Sequence, residues 1–279
     1  MNDGKGEMGQ GKRFEFGKNW AQFLKVLDEG RILEAEGSLK KKLEVEHLAG
    51  KRFLDIGSGS GLFSLAARRL GAKVRSFDYD LQSVACTQEL KRRYFSTDEN
   101  WTIEQGDVLD ATYLSTLGKY DIVYSWGVLH HTGNMWMALE NVIPLLGEKG
   151  KLFISIYNDQ GILSQFWKKM KKFYNRSPAP IRIILILWAG AYFEITSAFV
   201  RLLRGQNPLP FRYWDEMKKN RGMSAWHDLI DWVGGYPFEV ARPDEIFHFY
   251  RKRGFALVNL KTCGMAIGCN EFIFTQEKS

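Results

Sequence analysis

A chain of 279 residues is long enough to bury a core as one large domain or two small ones. Its 45% apolar and 25% charged composition excludes wholesale disorder and collagen-like repetition. Three scattered cysteines, Cys86, Cys263 and Cys269, exclude a disulfide framework or a Cys-rich zinc site and predict a reducing, cytoplasmic compartment. The Gly-rich, polar opening MNDGKGEMGQGKRFEFG predicts no secretory signal. A net charge of +7 calls for an acidic partner without naming it.

In chain order, Trp20 to Leu48 reads as helical, with apolar residues Trp20, Phe23, Leu24, Leu27, Ile32 and Leu33 among charges. Strands are predicted at Arg52–Ile56, Lys73–Phe77, Trp101–Glu104, Tyr120–Ser125 and Lys151–Tyr157. Helices are predicted between them at Leu62–Leu70, Leu81–Tyr94 and from about Trp136 to Leu146. This alternation implies an α/β fold, a doubly wound and mostly parallel sheet covered on both faces. It stops at Asn158 and resumes with a helix, Asp244–Arg253, and two strands, Phe255–Thr262 and Glu271–Gln276. The organisation expected is an N-terminal helical cap over residues 1–50, a core from 51–158 and 240–279, and a helical, basic and aromatic insertion over 159–239.

That insertion holds the charge surplus. Between Gly161 and Arg221 twelve basic residues face three acids, and the rest of the chain is close to neutral at about −2. Beside them lies the most apolar run, Ile183 to Phe193, which Glu194 interrupts. A membrane span needs about 20 apolar residues, and one from Ile181 to Leu203 would have to bury Glu194. Two readings stay open: residues 164–212 lie on an anionic membrane surface, peripheral to its inner face, or form a lid over an apolar pocket with a solvated basic flank.

The first strand runs into Asp55-Ile-Gly57-Ser-Gly59-Ser-Gly61, followed by a helix. Glycines at such a junction let a ligand approach the backbone and expose helix N-terminal N–H groups. The dinucleotide spacing G-x-G-x-x-G fails, since Leu62 or Ser64 takes the third glycine position, and no Gly-Lys-Ser/Thr follows to make a phosphate loop. A carboxylate at Asp55 repels pyrophosphate and suits an amine or a cation. Twenty-one residues after Gly57 the second strand ends at Asp78, placed to accept from both hydroxyls of a ribose. The third leads to Gly106-Asp107, where a carboxylate suits an adenine amino group.

Together with Ser125-Trp-Gly-Val-Leu-His-His131, these residues resemble the class I S-adenosylmethionine-dependent methyltransferases, in the small-molecule branch near the ubiquinone O-methyltransferases. The resemblance covers Arg52 to Tyr157. It implies a Rossmann-like, seven-stranded sheet with the last strand antiparallel, and S-adenosyl-L-methionine over the C-terminal strand edge. By the same resemblance Gly57, Ser58, Gly59 and Gly61 face the methionine moiety, and Asp78 and Tyr79 the ribose. Asp107 and Val108 hold the adenine, and Ser125, Trp126, Gly127 and Val128 lie under the cofactor near the sulfonium.

Methyl transfer to a hydroxyl needs alignment and removal of a proton. Of the five histidines, His131 follows the fourth strand at the cofactor edge and is the first candidate for general base or orienting group. His227, oriented by Asp228 or Asp231, is the second, in a stretch where Trp226, Trp232, Tyr236 and Phe238 suit a pocket wall. His130 is predicted to point away from His131. Phe16 and Trp20 are placed either to close over the ligands or to anchor the first helix. No metal signature stands out. The function expected is methyl transfer to a small aromatic or lipid-linked hydroxyl. The alternative is a tRNA or rRNA methyltransferase using the basic insertion, against which stands the absence of an Asn-Pro-Pro-Tyr or Cys-based motif.

Overall fold

The computed structural model describes residues 14, 16–207, 225–264 and 267–277; the side chains of 18 and 225–228 lie outside the description. Seven strands form one sheet: β1 Arg52–Ile56, β2 Lys73–Asp78, β3 Trp101–Gln105, β4 Tyr120–Trp126, β5 Leu146–Tyr157, β6 Phe255–Lys261 and β7 Cys269–Gln276. Their order is β3-β2-β1-β4-β5-β7-β6. β7 runs antiparallel to both of its neighbours and the other pairs are parallel. This is the fold class that the resemblance implies. The chain moves outward from β1 to β3 and then returns to β4 on the other side of β1. That reversal opens a crevice beyond the C-terminal ends of β1 and β4.

Strand side chains alternate between two cores. Leu54, Ile56, Val123 and Ile154 face one layer. Phe53, Ile122, Tyr124 and Phe153 face the other, against α2 Glu29–Leu43, α3 Leu62–Arg69 and α4 Leu81–Tyr94. The single helix expected over Trp20–Leu48 is two, because Leu27 turns extended and Asp28 caps a new helix by accepting from the Arg31 N–H at 2.9 Å. The first, α1, spans Gly17–Val26. A short helix the periodicity did not reveal, α5 Ala111–Ser115, is capped by Asp110, which accepts from Tyr113 N–H at 3.0 Å. The helix expected to about Leu146 ends sooner, as α6 Met135–Asn141, and β5 starts earlier, at Leu146.

After β5 the chain enters α7 Ile162–Arg176, α8 Ala179–Leu203 and α9 Ala225–Gly234, then returns through α10 Pro243–Arg251. The two ends of the insertion meet: Ala241 N–H donates to Tyr157 O at 3.0 Å and Asp159 N–H to Ala241 O at 3.2 Å. A third core fills the insertion, from Trp167, Met170, Tyr174, Ile186, Ala189, Leu229, Val233 and Phe238. α7 buries Ser164, Trp167, Lys171 and Tyr174 along one face, the spacing of an amphipathic helix with a lysine inside the stripe. The apolar run Ile183–Phe193 is the middle of a 25-residue helix, long and apolar enough by length and composition to cross a membrane. One side of α8 is buried at Ile186, Ala189 and Gly190. The other side leaves Ile184, Leu187, Trp188, Ile195, Phe199 and Leu202 exposed.

Candidate active site

Above the C-terminal strand ends lies a cavity of about 1250 Å3. Binding pockets commonly run to about 300–1,000 Å3, so a second ligand fits beside one the size of a nucleoside. At one end it is walled by the β1–α3 loop. Gly57 and Gly59 hold φ at +76° and +56°, a region L-residues rarely adopt. A Cβ on Gly57 would meet Val128 at 2.4 Å. Asp55, Ser58, Gly57 and Gly59 line the cavity; Gly61 does not. Gly61 instead caps α3 in the left-handed region at φ +81°, and its missing Cβ admits the Thr87 backbone. Ser125 also lies outside the cavity wall, fully buried with Oγ donating to Ile56 O at 3.1 Å. Both are expected at the cofactor from sequence, and neither lines this cavity.

Asp78, Tyr79, Asp107, Val108, Trp126 and Gly127 are in the wall. Asp78 Oδ2 accepts from Gly59 N–H and Oδ1 from Asp80 N–H, both at 2.9 Å. Each oxygen keeps acceptor capacity for a ligand hydroxyl. Asp107 Oδ1 accepts from Leu109 N–H at 2.9 Å, which fixes the carboxylate at the loop. Asp55 is buried and takes the Ser64 hydroxyl at 2.5 Å. Loss of solvation raises Asp55 to about 7 and Asp78 to about 6. An acid-lined end with glycine backbone open to a ligand fits a nucleoside carrying an ammonium and a sulfonium. Asp55 suits the amine, Asp78 the ribose and Asp107 the adenine.

The sign of the pH effect follows. Unfolded aspartates titrate near 3.8, so between pH 4 and 7 these two carboxyls hold more protons in the unliganded fold than in the unfolded chain. Their own contribution to stability therefore falls as pH rises through that window, while the buried, neutral His130 and His131 contribute in the opposite sense. A ligand whose ammonium and hydroxyl groups donate to the ionised carboxylates acts the other way, because it binds them charged. We expect the affinity for S-adenosylhomocysteine to drop about tenfold per pH unit below 7. The thermal shift the ligand produces should accordingly be larger at pH 7.5 than at pH 5.5; equal shifts would contradict the assignment.

The N-terminal segment closes over this end. Phe14, Phe16 and Trp20 line the cavity, and Trp20 sits 3.0 Å from where a Gly59 Cβ would be. Phe14 N–H donates to Tyr236 O at 3.1 Å, Gly17 N–H to Asp80 Oδ2 at 2.9 Å, and Asn19 Nδ2 to Asp231 Oδ1 at 2.5 Å. The strap is thus tied both to the sheet domain and to the insertion.

His131 and Asp231 both line the cavity. His131 Nδ1 is 2.6 Å from Pro237 O; since a carbonyl can only accept, Nδ1 carries the proton and Nε2 the lone pair. Burial drives His131 down to about 3, so it is neutral at physiological pH. His130 does not point away from His131: the two ring centroids are 4.5 Å apart and both rings pack on Tyr157, but His130 is fully buried and outside the cavity wall. His227 and Asp228 lie in the first turn of α9, and their side chains are outside the description. Lys171, one of the twelve basic residues of the insertion, is fully buried. Its Nζ donates to Trp232 O and stands 4.0 Å over the Trp232 ring. Burial lowers it to about 7, with Asp231 opposing. Its place in the apolar stripe of α7 was the signal. Asn19 and Tyr157, also missed, carried no comparable mark. Among the described residues no cluster of three metal-ligating side chains occurs.

Comparison with known proteins yields a family model described as a methyltransferase domain, which matches residues 30–181, just over half of the chain. A ribosomal protein L11 methyltransferase from Prochlorococcus marinus is 40% identical over 87 residues, 30% of this chain and 25% of that protein. A ubiquinone biosynthesis O-methyltransferase from Glaesserella parasuis is 34% identical over 113 residues, 40% of this chain and 47% of that protein. The chain thus spans between about a quarter and a half of the length of these relatives. Among solved structures, magnesium protoporphyrin IX methyltransferase from Synechocystis with bound SAH superposes with a TM-score of 0.55 at 14% identity, over 93% of this chain and 94% of that one. That likeness is one of fold.

Proposed function

From the membership of this chain in the methyltransferase-domain family, a class I fold whose methyl donor is S-adenosyl-L-methionine, we propose that it methylates a hydroxyl on an apolar small molecule drawn from a membrane. The observation that carries this reading is the single cavity. It runs from the acid-lined glycine loop past His131 to the inner face of α8, at Tyr192, Phe193 and Val200, while the outer face of α8 is exposed and apolar.

The donor supplies an electrophilic methyl group. The residues of this chain would do the rest. Asp78 and Asp107 fix the nucleoside, Asp55 the amine, and Trp126 and Gly127 lie alongside. His131 Nε2, the unprotonated nitrogen, accepts the hydrogen bond of the acceptor hydroxyl and then its proton. A neutral buried imidazole resists protonation, but the transfer removes one positive charge from the site as it delivers this one, so the net charge inside the cavity is unchanged. A base in such reach contributes about 10²–10⁴-fold. Asp231, tied to the strap by Asn19, is close enough to Lys171 to raise it, and helps to hold the insertion side of the site in place.

Basic residues near an anionic surface contribute about 1 kcal/mol each, and the exposed Lys168, Lys169 and Arg176 share α7 with the exposed Ile162, Phe166 and Phe173, which suits lipid better than a nucleic-acid backbone. The reading places the enzyme on the cytoplasmic side, peripheral to the membrane. Incubating the protein with methyl-labelled donor and either total lipid extract or aqueous metabolites tests it. Label is expected in the organic phase, and His131→Ala should lower the initial rate at least 100-fold while leaving S-adenosylhomocysteine affinity within about threefold. Label confined to the aqueous pool, or to added RNA, would overturn the reading.

A further inference from the structure

The donor end of the cavity is acidic, at Asp55, Asp78, Asp80 and Asp107. The end of α8 and the residues after it bring Arg201 and Arg204 into the same cavity's wall, with Thr196, Ser197 and Gln206. Arg201 is the unusual member. Counted with the surface cations from sequence, it is buried, with only 8% of its side chain exposed. Its Nε, Nη1 and Nη2 hydrogen-bond to nothing among the described residues. A Glu194 oxygen stands 3.6 Å from Nη2, within ion-pair range but beyond a hydrogen bond. A guanidinium has five donors in a planar fork, and a buried charge without hydrogen bonds is costly. Such a group at a cavity wall, its nitrogens closed off from solvent, is complementary to an oxyanion, which the fork grips with two parallel bonds once the side chain turns into the cavity.

We infer that Arg201 is the anchor for an anionic group, a carboxylate or phosphate, on the methyl acceptor. The acceptor is then an amphiphile: its reacting hydroxyl lies toward His131, its apolar body along Tyr192, Phe193 and Val200, and its anion at the far end of α8. Arg201 touches the acceptor and not the reacting atoms, so it sets specificity. The inference rests on the methyl-acceptor reading above and sharpens it. It also accounts for Glu194 in an otherwise apolar helix: at 3.6 Å it neutralises Arg201 when no acceptor is bound without satisfying its donors.

The test is calorimetry with protein saturated in S-adenosylhomocysteine, titrated below their micellar concentrations with dodecanoate, dodecyl phosphate and dodecanol. At least one anion is expected to bind about 30-fold or more tightly than dodecanol, and the preferred one identifies the oxyanion. Arg201→Gln should reduce that preference to about threefold or less with the affinity for S-adenosylhomocysteine unchanged. Glu194→Gln, which removes the competing carboxylate, should strengthen anion binding. Equal binding of dodecanol and both anions, or an anion preference that survives Arg201→Gln, would overturn the proposal. Should Arg201→Gln fail to fold, Glu194→Gln decides alone, unchanged or weaker anion binding counting against it. Loss of S-adenosylhomocysteine binding by the unmodified protein would instead contradict the donor assignment. The three titrations, repeated without it, would still read the anion site.

Discussion

Asp78→Ala is expected to raise the Kd for S-adenosylhomocysteine by 100-fold or more and to abolish methyl transfer. Asp78 stands at the end of β2 with each carboxylate oxygen already held by one backbone N–H, from Gly59 and from Asp80. Those bonds, with a further contribution from the Tyr79 N–H, fix its plane, and the acceptor capacity that remains serves a vicinal diol. Hydrogen bonds to a charged group contribute about 1.5–3 kcal/mol each, and two of them exceed the 2.7 kcal/mol that 100-fold represents at roughly 1.4 kcal/mol per decade. The alanine also removes the acceptor that holds the Gly59 N–H, so the glycine loop relaxes as the ligand contact is lost. Asp78→Asn separates the two effects: it keeps the shape and one acceptor oxygen, and an intermediate loss is expected. Calorimetry with both variants, checked for folding by circular dichroism, measures this. A change of less than about threefold in Asp78→Ala would remove the ribose assignment.

Leu187→Glu combined with Ile195→Glu is expected to abolish flotation with vesicles of phosphatidylglycerol and phosphatidylcholine. Both side chains are well exposed, at 58% and 68%, on the outward side of α8. Inserting such a side chain into an apolar phase contributes about 1.5–3 kcal/mol, and each glutamate adds repulsion from an anionic surface. The double change should weaken partitioning by several hundredfold or more, while S-adenosylhomocysteine binding stays unchanged because neither residue lines the cavity. The parent protein should also float less well at high salt, since its Lys and Arg contribute through a screened field. Flotation that survives the double change would refute the membrane reading.

Much of the donor half was legible because its chemistry is local. β2 ends at Asp78, and β1, β3 and β4 lead into Gly57, Asp107 and Gly127 of the cavity wall; the sheet between them follows from alternation of strand and helix. The limits of Arg52–Ile56 and of Leu81–Tyr94 match the expectation residue for residue. Gly61 and Ser125 show where locality fails. Both belong to the right motifs, yet Gly61 is needed for Thr87 to pack and Ser125 for an inter-strand hydrogen bond. A motif does not distinguish a residue that touches a ligand from one that shapes the loop behind it. The insertion was least legible, since its burial depends on helices distant in sequence. Lys171 and Arg201 read as surface charge until α7 and α8 pack against their neighbours. For Lys171, three residues from Tyr174 and four from Trp167 on the same stripe, helical periodicity already held the answer. For Arg201 nothing in the local pattern did.

The insertion departs and rejoins at one point, where Asn158 and Ala241 bridge. Its last residues also hold the core, since Pro237 O meets His131 Nδ1 and Glu239 N–H donates to His130 O. In the proposed reading the base and donor pocket belong to one module and the choice of recipient to another, so grafting this segment with its closing turn onto a sister scaffold is a route to retargeted alkylation.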